Sequence, residues 1–380
     1  MNQARKVALF LGLILLVLGN GTGAWAAETI KIGSGLRLSI GAEHGIPAKR
    51  GVQMAVDEVN AAGGIGGRKV EVIFEDEKDS PTAAVNAVQK LINVDKVIAL
   101  VGPMTSGATL ASYKNADEAK VVFITPTATS PKISGASPWL YRGCSRIDTQ
   151  AKALTEYIAQ TYKPKTVAIL FSNEPYGKGC AEVFGNFFEQ LGIKEVARES
   201  FNRGDRDFKA QLTKIKAANP DILFIPGYTP ETAPAAAQAR QLGLKQRIVG
   251  VYGDMDPEYA KLAGKAAEGH LIAGEYDEDY NTPKNKKFRE NYYKQAEAAK
   301  EPVNIMFAAL TYDATSLVLE GIKKYGPTSE GIKKFLDEVK DFDGVTGKLS
   351  FDQTHDVVRA GTAAGVYLFE IKGGKYVKVK

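Results

Sequence analysis

The 380-residue sequence predicts an α/β protein whose parallel sheets carry helices on both faces. Three observations predict it. Strand-like and helix-like stretches alternate from about residue 29 to 276. The strands are short unbroken apolar runs, such as VIALV (97–101), VVFI (121–124) and ILFIPG (222–227), as expected of strands buried on both faces. Two runs open into loops dense in Ser, Thr and Gly: VGPMTSGAT (101–109) and ITPTATSP (124–131). In open α/β sheets such loops lie at the carboxyl ends of the strands, where ligands bind. Small hydroxyls and free N–H groups at a helix start suit an anion, most simply a carboxylate.

The elements follow in order. TIKIG (29–33) reads as the first strand. A helix is expected near 48–62, where Val52, Ala55, Val56 and Val59 recur at i, i+3, i+4, i+7. It ends at Gly63-Gly64, where glycine takes a left-handed stop. The run Gly63-Gly64-Ile65-Gly66-Gly67 follows a helix and precedes a strand, the reverse of a nucleotide loop. KVEVIFED (69–76) is a strand, and Pro81 opens a helix near 81–93. VIALVG, a helix near 106–118 and VVFITP complete a first block.

A second block begins after LYRG (140–143). Helices near 149–161, 177–191, 207–217, 231–242 and 257–263 alternate with the strands TVAILFS, VARESF, ILFIPG, RIVGVYG and HLIAGEY. From about 283 the order changes to helices near 283–298, 303–323 and 328–338. GVTGKLSFD (344–352) and the final GVYLFEIKGGKYVKVK then read as hairpins, the last turning at Gly373-Gly374.

The N-terminus has the pattern of an export signal. Arg5 and Lys6 precede the apolar VALFLGLILLVLG, and Ala24-Trp25-Ala26 gives the small-x-small cleavage pattern. Residues 1–26 are therefore set aside, with cleavage expected near Ala26. The segment holds two of the 49 basic residues and none of the 44 acidic ones, which lowers the net charge from +5 to +3. This is no nucleic-acid footprint. No later apolar run reads as a membrane span, so the mature chain is expected free in the extracytoplasmic space. Cys144 and Cys180 are the two cysteines. An oxidising compartment permits a bridge between them, and two buried thiols are the alternative.

Catalytic and metal motifs are missing from the sequence. It has three histidines, His44, His270 and His355, and no HExxH, GxSxG or Walker pattern. The acidic runs 75–79 and 275–280 fit a solvated strand end and a crossing segment better than acid–base chemistry. No cofactor and no metal is expected, and the chain reads as holding a small molecule rather than transforming it.

Seven segments occur in the order of one family: 51–81, 101–109, 124–131, YRG (141–143), VAILFSNEPYGKG (167–179), 207–231 and 344–352. On these the chain resembles the branched-chain amino-acid (leucine/isoleucine/valine) binding proteins of ABC importers. The resemblance implies a type I two-lobed fold with three crossover segments, near 145–150, 274–280 and 352–358. The first lobe would hold 28–147 plus 276–353, and the second 148–275 plus 354–380. It further implies a monomeric periplasmic protein that passes a small carboxylated solute to a membrane permease. A sensor reporting to a membrane receptor shares the fold and stays open as an alternative; an exported α/β enzyme is the third reading.

The resemblance also implies site residues. Ser106, beside Thr105, would meet the ligand carboxylate; its plain reading is a helix N-cap. Thr127 would offer its carbonyl to an ammonium, with Ala128 and the hydroxyl of Thr129 completing that loop. Tyr176 and Tyr228 would close from the second lobe. Two positions depart from the family. Tyr252 stands where an acidic residue commonly pairs the ligand's α-ammonium, which leaves Asp254 as a substitute or a ligand without an α-amino group. His44 stands where Trp or Tyr often meets the ligand's tail. The cysteine pair of some relatives corresponds here to Asp79 and Thr105.

Overall fold

The computed structural model describes residues 28–360 and 365–379, so the expected export segment lies outside the described residues. The first block runs β1 (Ile30–Leu36), α1 (Ala42–Ala61), β2 (Val70–Asp76), α2 (Pro81–Asn93), β3 (Ala99–Val101), α3 (Ser106–Ala119), β4 (Val122–Thr125) and β5 (Leu140–Arg142). Its strands form one all-parallel sheet in the order β2-β1-β3-β4-β5. The second block runs α4 (Ile147–Tyr162), β6 (Thr166–Ser172), α5 (Pro175–Gln190), β7 (Lys194–Phe201), α6 (Lys209–Ala218), β8 (Ile222–Phe224), α7 (Thr229–Gln241), β9 (Arg247–Val249), α8 (Pro257–Ala263) and β10 (Leu271–Gly274). Three helices follow: α9 (Pro283–Ala299), α10 (Ile305–Tyr325) and α11 (Ser329–Glu338). The chain ends in β11 (Phe342–Asp343), β12 (Lys348–Phe351), β13 (Val357–Ala360), β14 (Tyr367–Lys372) and β15 (Lys375–Lys378). The second sheet has the order β15-β14-β10-β9-β8-β6-β7, with only the final hairpin antiparallel.

Local rules explain most boundaries. Ser80 caps α2 by accepting the Ala83 N–H at 3.4 Å, with Pro81 next to it. Gly64 stops α1 at φ 77°, and a Cβ there would lie 2.1 Å from the Arg68 carbonyl oxygen. That confirms the glycine run as a turn. The helix α1 begins earlier than its apolar periodicity suggests and runs through Pro47. Its first turn presses on the end of β1: a Cβ on Gly45 would sit 1.7 Å from the Arg37 oxygen.

The late helices return to the first sheet. α10 packs along α1, and α11 reaches β4 and β12. Thr311 Oγ1 donates to the Ala48 carbonyl at 2.8 Å, and Gly51 lets the two backbones approach. By length and composition α10 is apolar enough to cross a bilayer, which the reading of apolar runs missed; it is a core helix, with 89% of its most apolar window buried.

The third crossing was expected near 352–358; residues 352–356 there form a turn, and β13 starts at Val357. β13 pairs antiparallel with β12 through Ala360, and Arg142 bridges to Asp356. The chain reaches the second sheet only afterwards. The alternation that makes this a strand turns Arg359 inward, 4% exposed, where it pairs with Glu275 at 3.0 Å and donates to the Gly143 carbonyl at 2.7 Å. Glu275 also accepts the Ser145 N–H at 2.6 Å and the Gln150 amide at 3.0 Å. One buried ion pair thus ties together segments following β5, β10 and β12.

The proposed disulfide is not formed: Cys144 and Cys180 are both free and buried. Cys144 follows β5 of the first sheet and its thiol donates to the Ala128 carbonyl at 3.4 Å. Cys180 lies on α5, which covers β6 and β7 of the second sheet. Thiol titration of the unfolded protein without reductant should count two thiols per chain, and reductant should leave the melting temperature unchanged. A second prediction concerns Arg142, fully buried, which donates to Asp356 Oδ1 at 2.9 and 2.6 Å. Asp356→Ala strands that cation and should cost about 3–5 kcal/mol in urea unfolding.

Candidate functional site

Because the first sheet and strands β6–β10 of the second are parallel, their carboxyl-end loops gather on one side of each sheet, and those of the two sheets meet. Nine residues line the space between them: Arg37, Met104, Thr105, Ser106, Thr127 and Phe307 from the first block and its late helices, and Tyr176, Tyr228 and Tyr252 from the second. The space is tight. The centre of a water molecule can reach about 10 Å³ of it.

Thr105, not Ser106, caps α3: its Oγ1 accepts the Ala108 N–H at 3.2 Å. Ser106 is thereby released from capping. Its oxygen accepts the Ser130 N–H at 3.2 Å, which leaves its own O–H to donate at the positive end of the helix. Thr127 is anchored by its hydroxyl on the Met104 carbonyl at 2.7 Å. Its carbonyl, in turn, accepts the Tyr252 O–H at 2.8 Å across the cleft. Tyr176 starts α5, and its hydroxyl accepts the Gly253 N–H at 3.0 Å, steadying the turn that carries Tyr252. Tyr228 lies against Tyr176, ring centroids 4.9 Å apart, with the guanidiniums of Arg37 and Arg203 at 4.9 and 4.5 Å from its ring centre.

Four expected residues stand outside this lining. Ala128 and Thr129 sit behind the Thr127 loop, and the Thr129 hydroxyl is buried with no hydrogen-bond partner, so it is not tied up in a local turn. His44 is stacked on Phe307 at 4.3 Å and holds Arg37 through Nδ1 at 3.2 Å. A guanidinium only donates, so Nδ1 accepts and the ring proton sits on Nε2, 3.4 Å from Asp256 of the second block. Asp254, expected as the substitute ammonium partner, turns into the second block instead. It accepts the Thr232 hydroxyl at 2.5 Å and lies 3.4 Å from His270.

Sequence reading missed Arg37, Phe307 and the ion pairs behind them. Asp79 joins Arg37 at 3.3 Å to Arg203 of the second block at 2.6 Å, and Glu231 holds Arg203 at 2.9 Å. Arg37 could have been found, since it follows β1 just as Thr105 follows β3. Phe307 enters from a helix more than 150 residues downstream of the strands it serves, and no local pattern marks it.

The model of the family described as periplasmic binding protein matches residues 29–375. The chain belongs to the periplasmic binding protein family. Among relatives is a leucine-, isoleucine-, valine-, threonine- and alanine-binding protein of Pseudomonas aeruginosa, 31% identical over 348 residues, 90% of this chain and 91% of the relative. A leucine-binding protein of Thermotoga maritima superimposes with a TM-score of 0.85 at 30% identity, covering 93% of this chain and 98% of that one. A branched-chain amino-acid substrate-binding protein of Streptococcus pneumoniae, solved in complex with isoleucine, gives 0.83 at 35%, covering 92% and 100%. The two-lobed type I fold of this family is thus established for the chain.

Burial dominates the electrostatics here. It pushes the phenols of Tyr176, Tyr228 and Tyr252 well above their ordinary range, so all three stay protonated and able to donate. It raises the Asp254 carboxyl too, against the pull of His270. Glu77, fully buried beneath the 102–105 loop, accepts the Met104 N–H at 3.1 Å and is pushed up to about 8, chiefly by burial. Below that pH the folded protein keeps a proton that the unfolded chain loses above the ordinary value of 4.5. Stability contributed by Glu77 should therefore fall between about pH 4.5 and 8, by a few kcal/mol in all. Unfolding free energies measured across that range should show the fall in the wild type and a flatter profile in Glu77→Gln.

Proposed function

We propose that this chain is a periplasmic solute-binding protein of an ABC importer, which takes a small carboxylated ligand, an amino acid or related carboxylate, in the cleft between its lobes. The observation that carries this is the Ser106 hydroxyl, freed from capping and left to donate at a helix start, facing three tyrosines of the other lobe. Relatives named for leucine, isoleucine and valine support a ligand with a carboxylate head and an apolar body. Met104 and Phe307 supply an apolar wall for such a body.

In this mechanism the first lobe, 28–147 plus 276–353, binds first. Ser106 and the Thr127–Thr129 loop take the carboxylate. The second lobe then swings about the crossing segments, bringing Tyr176, Tyr228 and Tyr252 over the solute and Arg203 onto Asp79. The ligand shifts the open–closed population through the contacts it makes only in the closed form. The protein works as an exported monomer, its signal cleaved near Ala26. It releases the solute unchanged to a permease that recognises the closed surface.

A thermal-shift screen of small acids tests the reading, because a ligand at 100 times its dissociation constant adds about 2.7 kcal/mol to the folded state. Ser106→Ala should weaken the best binder by about 1–3 kcal/mol in calorimetry, by leaving a buried carboxylate oxygen short of a donor. Unchanged affinity in that variant would refute the carboxylate site.

A further inference from the structure

We infer that the solute this cleft takes is a carboxylic acid without an α-ammonium group: a 2-oxo, 2-hydroxy or unsubstituted acid with a small apolar body. The inference rests on the carboxylate reading above and narrows it. An α-amino acid brings a cation into the closed cleft, and that cation needs acceptors and a counter-charge there. The acceptor at the expected place is the Thr127 carbonyl. It already accepts the Tyr252 hydroxyl at 2.8 Å, within a buried contact, which leaves it one lone pair for a ligand. Tyr252 thus stands at the ammonium's place as a neutral group, which shares that acceptor and brings no counter-charge.

No counter-charge is available either. Among the nine lining residues the only formal charge is the guanidinium of Arg37, and it is positive. The carboxylates behind the lining each already face another group, Glu77 accepting the Met104 N–H from beneath the 102–105 loop. Asp254 serves Thr232 and faces His270. Asp79 holds two arginines. Glu275 holds Arg359 and the Ser145 amide. Glu174 caps α5 by accepting the Tyr176 and Gly177 N–H groups at 2.7 and 2.6 Å. Asp256 accepts the Glu258 N–H at 2.9 Å and faces His44.

An anion fares better. The Ser106 hydroxyl can donate, α3 presents its positive end, and Arg37 has a buried Nε with no partner. The buried hydroxyl of Thr129 likewise has none. The set is one of donors and a cation, and it matches a carboxylate with no ammonium beside it.

The test is calorimetry on matched acids that differ only at the α-carbon: leucine, 4-methyl-2-oxopentanoate and 4-methylpentanoate, then phenylalanine, phenylpyruvate and 3-phenylpropanoate. In at least one set a deaminated acid should bind about tenfold or more tighter than its amino acid. Tyr252→Phe, which frees the Thr127 carbonyl, should shrink that ratio; its melting temperature shows that it folds. An amino acid that binds as well as or better than its deaminated partners overturns the inference, and if its binding still depends on Ser106 the carboxylate site survives. A ratio unchanged in Tyr252→Phe overturns Tyr252 as the discriminator. Binding by no acid in either set overturns both readings.

Discussion

When two parallel sheets face each other by their carboxyl ends, the polar backbone of their loops is buried on closure and has to find partners across the gap. Here one bond that meets that requirement is the Tyr252 hydroxyl on the Thr127 carbonyl at 2.8 Å. The surrounding contacts support it. Gly253 donates to Tyr176, which holds the turn, and Thr127 hangs from Met104 on the loop that also carries Ser106. The Asp79–Arg203 pair closes the rim beside it, with the guanidiniums of Arg37 and Arg203 both close to the Tyr228 ring. A cleft built this way can select its solute by what it refuses to pair, because leaving a buried charge without partners costs more than a good contact returns.

The junction around Glu275 and Arg359 obeys the same rule. Glu275 and Arg359 are fully desolvated, yet each has its charge and its hydrogen bonds met by backbone and side chains of the other crossing segments. Such a pair adds little net stability but fixes geometry. It pins the segments at one point. Arg142 and Asp356 repeat the device one strand deeper.

Much of the fold was legible because short-range physics wrote it. Val52, Ala55 and Val56 recur with the helical period and are buried on α1; Pro81 and Ser80 open α2; Gly373 and Gly374 turn the last hairpin with positive φ. In the cleft, Thr105, Ser106, Thr127, Tyr176, Tyr228 and Tyr252 were all named from motifs and do line it. What escaped was set by distant parts of the chain. Whether Thr105 or Ser106 caps α3 depends on a single residue, roughly a quarter of a helical turn. Arg37, Phe307 and Arg203 matter only because of what stands opposite. The strand at Val357 was hidden by a buried arginine that reads as solvent-facing, and Cys144 and Cys180 belong to different sheets, which spacing alone does not reveal.

The central claim is that the closed cleft keeps Tyr252 on Thr127 and gives its donors to the solute. A high-resolution crystal structure of the protein with its transported solute measures this directly. The account predicts two ligand oxygens facing the Ser106 hydroxyl and the start of α3, with the Tyr252–Thr127 bond intact. A ligand nitrogen bonded to the Thr127 carbonyl, with Tyr252 turned away, would contradict it.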